Sequence, residues 1–401
     1  AQEQVVQTIV QCLSRPGLED GKIFRHPVSP APGIHARRPI GVTRILRRPY
    51  FLICCLVAPL VLAFCLLSLA FPLDSHARGA ILIPARAPVL QAGAAEGGVS
   101  STGTGLSPAL VHEKTGSQAI LRLRAGVNFR TDNLDWNIAD ADGDPNILSE
   151  LTWQDLNIYE VSLGFSSLVK KSVYFRANMN YGRITSGENQ DSDYREDNRQ
   201  GEWSRSNNSA DDGSIIDISL GAGFVLPIFS EAFTIMPMVG LSYHRQNLTM
   251  TDGYQTIPPL GPFPGLDSTY EAEWRGPWVG LEMQLDMETG WRAVTRIYPF
   301  AGVEYHWALY DAKADWNLRE EFDHPLSFEH EGEGGGVRIV AGLGASLNER
   351  WSLEVGYTQQ EWSVEDGIDR VFFSDGTYGE TGLNEVNWES RSLGLTIRYQ
   401  F

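Results

Sequence analysis

The last residues of the chain set the terms for everything before them. Leu393, Leu395, Ile397, Tyr399 and Phe401 alternate with Gly394, Thr396, Arg398 and Gln400. Successive side chains of a strand point to opposite faces, so this segment has one apolar face and one polar face. The same period of two begins near Ala119. In 119–130, Leu121, Leu123, Ala125, Val127 and Phe129 share a face, and in 150–166 Tyr159, Val161, Leu163 and Phe165 do. Val173, Phe175, Ala177, Met179 and Tyr181 repeat the pattern in 172–185, as do Ile216, Ile218, Leu220, Ala222 and Phe224 in 214–226. Further strands are expected at 232–247, 270–287, 292–312, 333–347 and 350–363, and the last at 386–401. The pattern predicts ten strands.

The connections sort by length. Short ones fall at 167–171, 227–231, 288–291 and 348–349, and long polar ones near 131–149, 186–213, 248–269, 313–332 and 364–385. An even strand count with short turns at one end and long loops at the other is the outer-membrane barrel pattern. Residues 118–401 are therefore expected to be all-β: a ten-stranded antiparallel transmembrane β-barrel with long extracellular loops and short periplasmic turns. Its apolar face would meet outer-membrane lipids. The alternating strand that ends at Phe401 would be read by the barrel-assembly machinery. Trp153, Tyr181, Trp278, Trp291, Trp351 and Tyr399 lie near strand ends and are expected as interfacial girdles. The polar face carries Arg122, Arg124, Arg176, Arg338 and Arg398 against Glu160, Asp217, Glu282, Glu304 and Glu354. Ten strands enclose a narrow bore, so these charges are expected to pair and plug it.

The segment before Ala119 reads as export sequence. An apolar run from Phe51 to Phe71 follows Arg44, Arg47 and Arg48 and precedes Ser75-His76-Ala77. A basic start, an apolar middle and a small-residue exit make a cleavable signal peptide at 44–77. Residues 1–43 contain no Met and stay unassigned, as sequence upstream of a true start, and 78–117 read as a flexible linker. All four cysteines (Cys12, Cys54, Cys55 and Cys65) precede this linker, so the barrel has no cysteine for a disulfide or a metal. After residue 77 there are 24 Lys/Arg against 46 Asp/Glu, which excludes nucleic acid as a partner. The mean hydropathy of -0.20 argues against a helical membrane protein but not against a barrel, whose strands dilute apolar residues with polar ones.

One stretch bears on chemistry. Ser149-Glu150-Leu151-Thr152-Trp153 is similar to the Ser-x-Leu-x-Trp segment of the omptins, which are outer-membrane endoproteases. Tyr181-Gly182-Arg183-Ile184-Thr185-Ser186-Gly187, followed by Asp191-Ser192-Asp193-Tyr194, resembles the omptin approach to an Asp-x-Asp catalytic pair. The likeness is detailed over 149–194 and topological elsewhere. It implies a water held between an Asp pair and an Asp–His pair, with His as general base and no metal or cofactor. Asp191 and Asp193 supply the first half. The acidity of 188–212 makes an Asp-x-Asp pattern there unspecific. The second half departs from the family, which has Asp-x-His after strand seven. Here Asp315-Trp316-Asn317 stands at that place, and Asn is not a base at neutral pH. The nearby histidines are His306, two residues after Glu304, then His324 beside Asp323, and His330. The candidate catalytic set is thus Asp191, Asp193, Asp315, His306 and His324, acting on an extracellular polypeptide. The alternative is a non-catalytic surface barrel that binds a host or other ligand through acidic, aromatic loops such as 364–385. A small channel is the third reading. No stretch has the spacing of a Ca²⁺ loop.

Overall fold

The computed structural model describes residues 119–228 and 232–401. The expected signal peptide at 44–77, the linker at 78–117 and the stretch 1–43 lie outside the described residues. Fourteen strand segments form one antiparallel sheet. They are β1 (Ala119–Ile138), β2 (Ser149–Val169), β3 (Val173–Asp193), β4 (Ser204–Ser209), β5 (Gly213–Phe224), β6 (Leu226–Pro227), β7 (Phe233–Ile257) and β8 (Gly261–Pro262). The remainder are β9 (Asp267–Leu285), β10 (Met287–Glu288), β11 (Arg296–Asp315), β12 (Phe328–Ser346), β13 (Trp351–Phe372) and β14 (Tyr378–Gln400). The excess over the ten expected has a simple origin. β4 and β5 both pair with β3 and β7, so they are successive parts of one wall position. β6, β8 and β10 are two-residue extensions. The other long strands follow in chain order, and β14 pairs back onto β1 from Arg122↔Gln400 to Ile138↔Leu383. Among the described residues that closure leaves no long strand with an unpaired edge.

The wall has two levels, and they invert one another. At the short-turn end the outward row is apolar and exposed: Leu121, Leu123, Val127 and Phe129 on β1, Tyr159 to Phe165 on β2, Leu393 to Ile397 on β14. From Leu121 to Phe129 this row covers about 27 Å of strand, the scale of an outer-membrane apolar band. The inward row there is charged, in three paired groups. Nearest the short turns, Glu354 meets Arg398 at 3.1 Å and Arg124 at 3.6 Å. Next, Arg176 meets Glu282 at 2.5 Å and also pairs with Glu304, which takes Arg338 at 3.1 Å. Farthest in, Arg130 binds Asp132, Glu160 and Asp217 at 2.7, 3.0 and 2.5 Å. The expected charge plug is present, with Arg130 and Asp132 added to it.

Above these groups the interior turns apolar. Leu134, Trp136, Leu151, Trp153, Leu248, Tyr270, Trp274, Tyr310, Phe328, Trp362, Val386 and Trp388 form one buried cluster. Its members come from every side of the wall, so side chains fill the bore. This corrects two of the expected girdle residues. Trp153 and Trp278 are 1% exposed and point inward, whereas Tyr181, Trp291 and Trp351 are exposed on the outside. It also explains why the strands outrun their expected ends. β1 continues to Ile138, β3 to Asp193 and β13 to Phe372, leaving loops of only 139–148, 194–203, 316–327 and 373–377. Where the apolar row changes face, an outward-only alternation stops, but the strand does not.

Candidate functional site at the long-loop end

A bulge in β2 sets the site up. Asp155 has φ 52, and the β1–β2 ladder slips by one residue from Asp132↔Leu156 to Leu134↔Trp153. Below the slip Leu156, Ile158 and Glu160 face inward; above it Trp153 and Leu151 do. The neighbouring β3 changes phase at the same height. Ile184 faces inward below, then Gly187, and then Asn189 opposite Trp153. A Cβ on Gly187 would lie 2.5 Å from Leu156 Cδ2 and 2.8 Å from the Ala210 carbonyl, so only glycine lets the strands close there. With the phase changed, Asp191 lies opposite Leu151, and Asp193 opposite Ser149. Both carboxylates therefore face the mouth of the barrel. They were expected in a loop after the third strand, but they are the last inward positions of β3 itself.

The pair is half-buried, and its protons are held tightly. Burial and the adjacent Asp193 charge push the Asp191 carboxyl up to about 8, against the pull of Arg319. Burial raises Asp193 too, opposed by hydrogen bonds from the Ser149 and Ser204 hydroxyls and by Arg319. Those hydroxyls belong to its cross-strand neighbours on both sides. Two like charges this close do not both ionise readily, so the pair tends to keep a proton between its members.

The other half lies on the 316–327 loop. His324 Nδ1 is 2.6 Å from Asp315 Oδ1, and this bond raises the His324 pKa. The Asp–His couple that the spacing lacked is thus formed by residues nine apart. Asp315 continues the outward row of Leu309, Asp311 and Lys313 and pairs with the exposed Thr269, so the couple sits on the outer side of the rim. Arg319, from the same loop, pairs with Glu321 at 2.6 Å, and its charge favours the ionised form of both Asp191 and Asp193. The loop is pinned at its root. Trp316 packs on Phe328 at 4.6 Å, and its backbone N–H donates to Ser327 Oγ. Asn317, at the place of the omptin histidine, is a clamp: its Oδ1 accepts from the Asp267 N–H and Ser268 Oγ, and its Nδ2 donates to the Gly265 carbonyl.

The remaining histidines are elsewhere. His306 is fully buried in the bore between Ser242 Oγ at 2.9 Å and Glu304 Oε2 at 3.2 Å. The structure does not bring it to the carboxylate pair. His330 is also fully buried, with Nδ1 2.9 Å from the Tyr270 hydroxyl and Nε2 3.1 Å from Asp369 Oδ1. Sequence reasoning missed Arg319 and the Tyr270–His330–Asp369 group. No motif marks the first, and the second joins side chains of three strands, β9, β12 and β13, whose pairing register the sequence does not print.

The model of the family described as Pom, Protochlamydia outer membrane protein, matches residues 124–401. The chain belongs to that family. No curated protein sequence matches this Pom-family chain. Among solved structures it is similar to the outer membrane protease OmpT from Escherichia coli, with 12% identity and a TM-score of 0.55, over 72% of this chain and 98% of that one. The translocator domain of the autotransporter NalP from Neisseria meningitidis matches at 14% identity and a TM-score of 0.33, over 73% of this chain and 91% of that one. OprG from Pseudomonas aeruginosa matches at 10% identity and a TM-score of 0.29, over 71% and 97%. The OmpT likeness shows the fold alone. With the family, it makes the Pom chain an all-β outer-membrane barrel of bacterial type.

Proposed function

We propose that the protein is an omptin-type surface barrel whose long-loop end faces outward and works as an endopeptidase site built on Asp191 and Asp193. The observation that carries this reading is the change of phase at Asp155 and Gly187, which turns both carboxylates into the mouth. There they hold a proton that an exposed pair would release. The protonated member can donate to the peptide carbonyl while its ionised partner helps to hold the attacking water. His324, set by Asp315 at 2.6 Å, is the base that the omptin resemblance implies. The apolar band would sit in outer-membrane lipid, and the assembly machinery would engage the strand that ends at Phe401. A filled bore speaks against a channel.

The test is cleavage of a quenched fluorescent peptide library by the purified barrel. Cleavage is expected, with a loss of about a hundredfold or more in Asp191→Asn and His324→Ala. A second readout concerns the pair alone. An unfolded Asp releases its proton near 3.9, whereas folded Asp191 holds it to about 8. Between those values the folded state binds more protons, so stability falls as pH rises from about 4 to about 8. Asp191→Asn should reduce that slope, leaving the part due to buried Asp193, and be the more stable protein at pH 8. A wild type that cleaves nothing sinks the enzymatic reading. A non-catalytic binding site for a cationic segment would then stand, favoured by the pull that the Arg319 charge already exerts on both carboxylates.

A further inference from the structure

The three charged groups of the bore are not equally balanced. The farthest has Arg130 against Asp132, Glu160 and Asp217, and the middle has Arg176 and Arg338 against Glu282 and Glu304. The one nearest the short turns has three guanidiniums. Arg122 and Arg124 are alternate residues on the inner face of β1, and Arg124 stands directly opposite Arg398 in the β1–β14 ladder. Like charges placed directly opposite in a ladder are destabilising. Among the described residues, Glu354 is the single carboxylate paired with these three, at 3.1 Å from Arg398 and 3.6 Å from Arg124. It is shared further, because the Tyr298 hydroxyl also donates to it at 3.0 Å. Arg122 has only a neutral partner, the Gln400 amide oxygen at 3.0 Å. The Arg124 Nε is buried and makes no hydrogen bond. Three cations and one anion thus share a site screened from bulk water, where uncompensated charge is costly.

We propose that this end of the bore is a binding site for a small phosphate-class oxyanion, held by Arg122, Arg124 and Arg398. All three line one cavity of about 350 Å³ with Glu354 and Tyr298, within the range of small-ligand pockets; carboxylates of the two farther groups and Asp286 line the same cavity, each already paired with an arginine. Arg124 keeps 30% of its side chain exposed to that space, so an incoming anion can reach it. The planar guanidinium fork matches phosphate oxygens two at a time, which a lone carboxylate between two arginines cannot do for both. Arg124 supplies a guanidinium held only loosely by its carboxylate, Glu354 at 3.6 Å, and Arg122 a full charge whose partner is the neutral Gln400 amide. Glu354 is the built-in competitor: it occupies the site in part and sets how tightly the anion is held.

The experiment is calorimetric titration of the full chain, purified in a non-ionic detergent, with inorganic phosphate at fixed ionic strength made up with chloride. One saturable site is expected. Arg122→Gln and Arg124→Gln should each weaken it by about tenfold, the order of one charge-assisted bond. Arg183→Gln, an exposed residue paired with Asp212 on the outside of the wall, should leave it unchanged. Glu354→Gln has the opposite sign: with the competing carboxylate gone, phosphate should bind about tenfold tighter. A variant that merely disturbs the barrel cannot tighten binding, so this arm holds even if an arginine variant fails to fold. Absence of saturable heat into the tens of millimolar, or a Glu354→Gln variant that binds phosphate more weakly, overturns the proposal.

Discussion

The lower and upper levels of this barrel are built from the same strands but with opposite insides. On β1, Arg122, Arg124, Arg130 and Asp132 face inward below, while Leu134 and Trp136, two and four residues further on, face inward above. The side-chain phase on β1 does not change; only the chemistry of each face does. Where lipid surrounds the wall, the outside must be apolar, and the polar residues are forced inward to satisfy one another. Where water surrounds it, the apolar residues retreat inside as in any soluble fold. The boundary between Asp132 and Leu134 thus marks on the chain where the surrounding medium changes. The groups of the candidate site, Asp191, Asp193 and the Asp315–His324 couple, stand on the water side of that boundary.

The upper interior should break first. Trp388 is fully buried, stacks on Trp362 at 5.4 Å and donates its indole N–H to Asp132 at 3.1 Å, so it ties the apolar plug to the charged group beneath. Trp388→Ala should cost about 3–5 kcal/mol in reversible urea unfolding. A loss below about 1 kcal/mol would mean that the plug is not a close-packed core. Next in size is the outer surface. Leu163→Arg, on the apolar band of β2, should cost about 2–4 kcal/mol in lipid. Gln154→Arg, an exposed residue of the same strand above the bulge, should stay within about 0.5 kcal/mol. Equal costs at both positions would erase the boundary that the two interiors define.

The lower level was legible in the sequence and the upper one was not, for the same reason. Leu121 to Phe129, Tyr159 to Phe165 and Leu393 to Ile397 keep one apolar face, so period, strand identity and the inward charges could all be read. Past Phe129 the apolar residues move to the other parity, in Leu134 and Trp136, among Asp and Asn that elsewhere signal turns. The alternation looked broken and the segment looked like a loop. The resemblance marks the carboxylate pair but not its orientation, which depends on a one-residue slip of β3 between its partners Asn157 and Ile158, matched by one of β2 between Gln154 and Asn157. The Asp315–His324 couple escaped because the partners are brought together by a loop whose course Asn317 and Trp316 fix, not by their spacing.

That slip also gives the smallest and sharpest test. Because the side-chain period of a strand is two, the extra residue of a bulge inverts every face beyond it. Asp155 takes the left-handed conformation that places this extra residue, and its own N–H donates to Asn133 Oδ1 at 2.8 Å. Asp155→Gly should be tolerated, since glycine adopts that φ freely. Asp155→Val should cost about 1–2 kcal/mol, the penalty for a side chain unsuited to it. Deleting the residue is a different perturbation. It would turn Trp153 and Leu151 outward or drag β3 with them, taking Asp191 and Asp193 out of the mouth. Peptide cleavage, if the site is hydrolytic, should then follow the deletion and not the Asp155→Gly change. A deletion variant that folds and keeps the pH-dependent stability of the Asp191 pair would show that β3 sets its own phase at Gly187, independently of β2.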